Sequence, residues 1–397
     1  MRLTLVISSL ECGGSERVMT ILANYWAATR KVTILTLADD ATPPVYELDV
    51  RVRLEGLGVA NSSPNAAMAL VNNMNRLLAL RRAIRESRPD VVLSFGDKTN
   101  VLTLLATRGL QIPVVVSERS DPAMNPIGRV WSKLRLWTYA MAEAIVVQSP
   151  GARNYFPANI QGRTHTIPNP VRKPATSRTN NIIKPKSLLI IGMGRLVPEK
   201  GFDILLEAFA QIKDRHPQWR LMILGEGPLR EELEVLSQKL GLAGSISLPG
   251  RVSAPDEYLA GADLFVMSSR FEGFPNALCE AMASGLAVIS TDCPSGPREI
   301  IRQGTDGLLV ATDDHAALAE AMDRLMSDER ERQRLAIRAP EVTRRFAVEH
   351  VMGMWEKVFT LAIGGTVRDP EGAECISKHG ARRSQKSCES ADASALS

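Results

Sequence analysis

The 397-residue sequence contains no run of about 18 apolar residues, so a membrane-spanning helix is excluded on length alone. Cysteine is scarce. Cys12, Cys279, Cys293, Cys375 and Cys388 lie far apart without a Cys-x-x-Cys pair, which leaves no disulfide framework and no zinc spacing. Such usage fits a reducing cytoplasm. Aromatic residues amount to 5%, too few for a base-stacking surface, and no known nucleic-acid module occurs, so no nucleic-acid partner is expected. Asp-x-Asp, His-Glu-x-x-His and Gly-x-x-x-x-Gly-Lys-Ser/Thr are all missing. That argues against a metal, a cofactor and a P-loop nucleotidase. The histidines (His165, His216, His315, His350 and His379) are scattered and suggest no shared site.

What is present describes a globular protein. Hydrophobic residues make up 45% and charged residues 23%, and the length suits two or three domains. The net charge of +4 is unevenly spread: residues 1–180 carry 22 Lys+Arg against 13 Asp+Glu, the remainder 26 against 31. A basic first half implies an anionic partner there: a phosphate, a membrane surface or, against the aromatic count, a nucleic acid. The apolar start of the chain is short and is interrupted by Glu11-Cys12-Gly13-Gly14, so it reads as a buried strand rather than a signal peptide.

β-Branched apolar runs alternate with amphipathic patterns throughout. Strands are expected over 3–8, 31–37, 50–54, 90–95, 113–117, 144–148 and 164–167, with helices over 15–28, 66–86, 98–108 and 127–141. A Pro- and Asn-rich break follows, and the pattern restarts. Strands are then expected over 187–193, 219–224, 245–248, 263–267, 287–290 and 307–310, with helices over 202–215, 229–240, 276–283, 315–326 and 330–337. This βαβ alternation predicts an α/β chain of two Rossmann-like domains facing each other across a cleft. The expected division is 1–170 for the acceptor side, 171–186 as linker, 187–345 for the donor side, 346–362 as a closing helix and 363–397 as a disordered tail.

Three motifs carry chemistry. In Glu272-Gly273-Phe274-Pro275-Asn276-Ala277-Leu278-Cys279-Glu280, a polar turn runs from a strand into a helix whose first amides face the cleft, a ready diphosphate site. Glu272 lies just before that helix and Glu280 along it, so the carboxylates are staggered along one ligand and can accept from sugar and ribose hydroxyls. Gly192-Met193-Gly194-Arg195-Leu196-Val197-Pro198-Glu199-Lys200-Gly201 follows a strand and offers Arg195 and Lys200 to neutralise a leaving diphosphate. Gly13-Gly14-Ser15-Glu16-Arg17 follows the first strand and makes a second nest of amides.

Taken in order with Gly225-Glu226-Gly227-Pro228, these motifs resemble those of glycosyltransferase family 4, retaining enzymes of GT-B architecture. The resemblance spans about residues 3–361. The stretch Thr291-Asp292-Cys293-Pro294-Ser295-Gly296-Pro297-Arg298-Glu299-Ile300 resembles the subgroup that builds bacterial exopolysaccharides and lipid-linked oligosaccharides. The resemblance implies that Arg195 and Lys200 hold the donor diphosphate, Glu272 the donor sugar and Glu280 the ribose. It implies a nucleotide-sugar donor, UDP favoured over GDP, and a glycan acceptor carried on a polyprenyl diphosphate. The location it implies is cytoplasmic, with peripheral contact at an anionic inner membrane face.

Many relatives carry a histidine at the end of a strand in the first domain; the corresponding stretch here is Val116-Ser117-Glu118-Arg119-Ser120. Glu118 and Arg119 are therefore the acceptor-side candidates. A sugar-nucleotide epimerase, a phosphorylase and a non-catalytic sugar-nucleotide-binding subunit are the alternatives the architecture allows.

Overall fold

The computed structural model describes residues 1–11, 13–39, 43–60, 64–174 and 187–364. Cys12, Cys375, Cys388, His379, linker residues 175–186 and tail residues 365–397 lie outside the described residues.

The first sheet contains β1 (Arg2–Ile7), β2 (Lys31–Thr36), β3 (Val52–Gly56), β4 (Val91–Phe95), β5 (Val114–Ser117), β6 (Ala144–Val147) and β7 (Thr164–Thr166). All are parallel, in the order β3-β2-β1-β4-β5-β6-β7. Helices α1 (Gly14–Ala27), α2 (Ala66–Ser87), α3 (Asp97–Thr107) and α4 (Arg129–Tyr139) make the long crossovers. The second sheet holds β8 (Leu188–Met193), β9 (Trp219–Leu224), β10 (Ile246–Gly250), β11 (Leu264–Met267), β12 (Ala287–Thr291) and β13 (Leu308–Val310), in the order β10-β9-β8-β11-β12-β13. Its longer helices are α5 (Phe202–Ile212), α6 (Arg230–Lys239), α7 (Asn276–Ala283), α8 (His315–Ser327) and α9 (Glu329–Arg338).

The sequence-derived strands and long helices are all present, displaced by a residue or two at their ends, except that the helix expected over 202–215 ends at Ile212 and Lys213–Arg215 forms a 3-10 turn. The stretch read as strand 245–248 runs on to Gly250, past a register shift against β9. Short helices at Pro150–Asn154, Ala158–Gln161, Pro255–Gly261, Pro297–Ile300 and Val342–Arg345 were not anticipated, because four to seven residues are too few to show a helical period.

Each sheet is covered on both faces. Val6, Val92, Val116 and Ile145 point to one side of the first sheet, and Leu5, Leu93, Val115 and Val146 to the other. That is the strand alternation of a doubly wound layer. The final helix, α10 (Val348–Ala362), returns to the first sheet. Trp355 is buried against Trp26, Phe95 and Phe359, and the Trp26 indole donates to Glu356 at 2.8 Å. The start expected at 346 is delayed because Phe346 stacks edge-on against Phe274, with ring centres 5.4 Å apart. The chain therefore crosses between the sheets twice, and the crossings are tied where the Val171 amide donates to the Phe346 carbonyl at 2.8 Å.

In both sheets the strand order reverses beside the first strand, between β1 and β4 and between β8 and β11. Ligand crevices of open parallel sheets form at the carboxyl ends of the strands at such reversals. The loops after β1, β8 and β11 carry the three motifs.

Candidate active site

The loop after β8 is held against its neighbour by backbone alone. Gly194 donates to Leu224 and Leu196 to Glu226, each at 3.0 Å. Gly225 has φ +152°, and a Cβ there would stand 1.8 Å from the Gly194 carbonyl. No side chain fits, which explains the glycine in Gly225-Glu226-Gly227-Pro228. Beyond this loop, Pro198–Lys200 forms a 3-10 turn closed by Gly201 at φ +59°. A Cβ on Gly201 would meet the Ser268 carbonyl at 2.2 Å, so the two loops on either side of the reversal touch directly.

That contact brings Lys200 to Glu272. The Lys200 ammonium donates to Glu272 Oε1 at 2.6 Å, and Ser269 Oγ donates to the same oxygen at 2.7 Å. Glu272 is nearly buried, at 9% exposure, so this ion pair is shielded more than a surface pair would be. Arg195 instead extends into the open, 70% exposed, with Glu199 at 3.5 Å. The Phe274 side chain is buried in the second domain, so that residue can offer a ligand only its backbone. Pro275 caps α7, and Gly273 lies in the turn before it.

The first domain closes directly over α7. The Asn276 side chain donates to the Gly14 carbonyl at 3.2 Å and accepts from Asn169 Nδ2 at 2.7 Å. A Cβ on Gly273 would stand 2.6 Å from the Arg119 carbonyl, so the domains meet there at backbone distance. Gly13 is the extended residue before α1, and Arg17 at the start of that helix forms an ion pair with Glu280. A third bridge is fully buried: Ser149 Oγ donates to Ser295 Oγ at 3.1 Å, and Ser295 Oγ donates to Asp121 Oδ2 at 2.6 Å. Sequence reasoning missed Asp121, Ser149, Asn169 and the Ser295 bridge, because no local pattern marks residues that meet only when domains close.

Glu118 and Arg119 point to opposite sides, as successive residues leaving a strand do. Arg119 reaches the interdomain side, with its guanidinium 4.4 Å from the Phe95 ring centre and a hydrogen bond to Asn169. Burial pulls it down to about 9, opposed by the charge of Glu16. Glu16 is itself raised by burial, with a backbone hydrogen bond and the charges of Arg195 and Arg119 drawing it back. Glu118 does not share that space, which corrects its place among the acceptor-side candidates. Its carboxylate is 1% exposed, accepts from Tyr139 at 2.6 Å and lies 3.6 Å from Arg135. Burial pushes it up to about 7 against the pull of Arg135. Arg135 is equally enclosed and bonds Tyr155 at 2.6 Å, so it is removed from any exposed basic face.

Two doubly wound parallel domains facing each other make the GT-B architecture. The comparisons with known proteins agree. Residues 13–170 match the glycosyl transferase 4-like domain and residues 175–342 the family described as glycosyl transferases group 1. The chain belongs to this glycosyltransferase family and resembles its bacterial exopolysaccharide and lipid-linked oligosaccharide members.

One relative is the GalNAc-alpha-(1->4)-GalNAc-alpha-(1->3)-diNAcBac-PP-undecaprenol alpha-1,4-N-acetyl-D-galactosaminyltransferase of Campylobacter jejuni. It is 28% identical over 360 residues, covering 90% of this chain and 98% of its own. The amylovoran biosynthesis glycosyltransferase AmsD of Erwinia amylovora is 25% identical over 354 residues, covering 87% and 95%. Anabaena HepE, solved with UDP and glucose, superposes with a TM-score of 0.74 at 17% identity over 90% of this chain and 99% of that one, a likeness of fold.

Proposed function

We propose that this glycosyltransferase moves a hexosyl or N-acetylhexosaminyl group, with retention, from a UDP-sugar to a glycan on a polyprenyl diphosphate. The observation that carries the reading is the Lys200–Glu272 pair at 2.6 Å, at the carboxyl end of the second sheet beside the start of α7. Lys200 and Arg195 neutralise the departing diphosphate while amides at the start of α7 donate to its oxygens. Glu272 receives sugar hydroxyls and Glu280 the ribose. Acceptor attack on the face the diphosphate leaves retains the anomeric configuration, with a donor phosphate oxygen taking the hydroxyl proton. Arg119, from the other domain, faces the reacting sugar where relatives have histidine. The diphosphate-linked acceptor is supported by the Campylobacter relative, whose name contains PP-undecaprenol.

Incubation with UDP-sugars and a polyprenyl-diphosphate-linked glycan tests this. The expected result is UDP release dependent on that glycan, with an α-linked product. Accumulation of an epimerised UDP-sugar without transfer would contradict it.

The same reading places the first domain on an anionic membrane at the cytoplasmic face. No described helix is long and apolar enough to cross a bilayer. The apolar surface comes chiefly from α2, where Leu70 is 70% and Leu78 60% exposed with Val71 and Met74 between them. Trp137 and Val130 on α4 are exposed too, with Arg129 and Lys133 on the same helix, and Arg85 is exposed on α2. Exposed apolar side chains beside cations suit the boundary of an anionic bilayer. The protein should float with phosphatidylglycerol vesicles at low salt and be released by high salt or by Leu70→Glu with Leu78→Glu. Equal binding to neutral vesicles would contradict electrostatic docking.

A further inference from the structure

The ion pair between Arg17 and Glu280 joins positions 263 residues apart, one in each domain. Arg17 stands in the first turns of α1, directly after the Gly13-Gly14 loop, and Glu280 stands in α7. Both lie against a small cavity whose wall also includes Val18, Arg172, Asn276 and Cys279. The Glu280 side chain is only 15% exposed. A carboxylate so enclosed is strongly disfavoured as an anion unless a cation meets it.

The groups facing Glu280 are of both signs. Arg17 on α1 makes the direct contact, and Asp256 on Pro255–Gly261 adds negative charge. Arg172 on the crossing segment lines the same cavity, and burial beside Arg17 weakens its hold on its proton. Burial pushes the Glu280 carboxyl up and Asp256 pushes it further, while Arg17 pulls it down. Of the groups within hydrogen-bonding distance, the cation that keeps Glu280 ionised belongs to the opposite domain.

We infer that Arg17 is a positioning residue for nucleotide binding, reaching across the cleft to hold Glu280 charged and aimed, so that ribose recognition is complete only when the domains are closed. This rests on the reading that Glu280 receives the ribose. Opening the cleft withdraws Arg17 and leaves the Glu280 carboxylate hydrated and no longer aimed, which weakens its acceptance of two ribose hydroxyls. Affinity for the nucleotide is thereby linked to closure, and closure in turn to the nucleotide.

Calorimetry with UDP at pH 6 and pH 8 on the full chain tests the inference. Glu280→Gln, which imitates the protonated carboxyl, is expected to bind UDP about tenfold more weakly at both pH values. Arg17→Met should bind UDP more weakly than wild type, and by more at pH 6 than at pH 8, because a buried carboxyl without its cation holds a proton more readily. Arg17→Lys keeps the charge and should restore part of the affinity at pH 6. The double variant should be no weaker than Glu280→Gln alone, because the two act through one interaction. A loss in Arg17→Met that ignores pH and adds fully to that of Glu280→Gln would overturn the inference while leaving the ribose reading intact. Wild-type affinity in Glu280→Gln would instead overturn the ribose reading, and the inference with it.

Discussion

Lys200→Ala is expected to lower kcat by about 10²–10³-fold while the protein remains folded, because a positioned cation acts most on charge that develops as the diphosphate leaves. Lys200 is attached to a 3-10 turn whose backbone is fixed against the Ser268 loop, so its removal leaves the scaffold in place. Glu272 keeps the Ser269 hydroxyl at 2.7 Å, and losing the cation beside this nearly buried carboxylate is expected to lower stability without unfolding the protein. The measurement is steady-state UDP release, with circular dichroism to verify folding. A folded variant within threefold of wild type would remove Lys200 from the reaction.

Glu272→Gln should act differently. The substitution keeps the shape and one acceptor oxygen but loses the charge that pairs with Lys200. Hydrogen bonds from sugar hydroxyls to an ionised acceptor strengthen as the sugar gains positive character, so the loss falls on the transition state. kcat should drop by about 10–10²-fold with little change in KM, whereas a ground-state contact would raise KM with kcat preserved. The reverse split, with KM raised and kcat unchanged, would assign Glu272 to donor binding alone.

Much of this arrangement is legible in the sequence, for physical reasons. The strands of a doubly wound sheet are buried on both faces and appear as β-branched runs, so stretches such as 91–95 and 264–267 are found without structural help. Lys200 and Glu272 are 72 positions apart yet both follow strands that flank a reversal, and the resemblance to family 4 is what implies that they share a ligand. Glu118 shows where this reasoning stops. Which of two adjacent residues at a strand end faces the cleft depends on Arg135 and Tyr139, which lie on another helix and hold the carboxylate inside. The cross-domain contacts are less visible still. Arg17 sits in a recognised motif, but its partner Glu280 depends on how the domains close. Ser295 lies in the stretch that resembles exopolysaccharide enzymes, and its bridge to Asp121 and Ser149 leaves no periodic signal at all. The last helix is readable from its apolar spacing; its return to the first sheet depends on Trp355 finding Trp26 and Phe95.

The donor is expected to lie in the second domain, threaded from Lys200 past the start of α7 to Glu280. A crystal structure of the protein with an intact UDP-sugar tests it most directly. The β-phosphate should lie within hydrogen-bond distance of Lys200, the sugar hydroxyls on Glu272 and the ribose on Glu280, with Arg119 facing the sugar from the other side. A nucleotide bound to the first domain, or one in the cleft with its ribose away from Glu280, would contradict it.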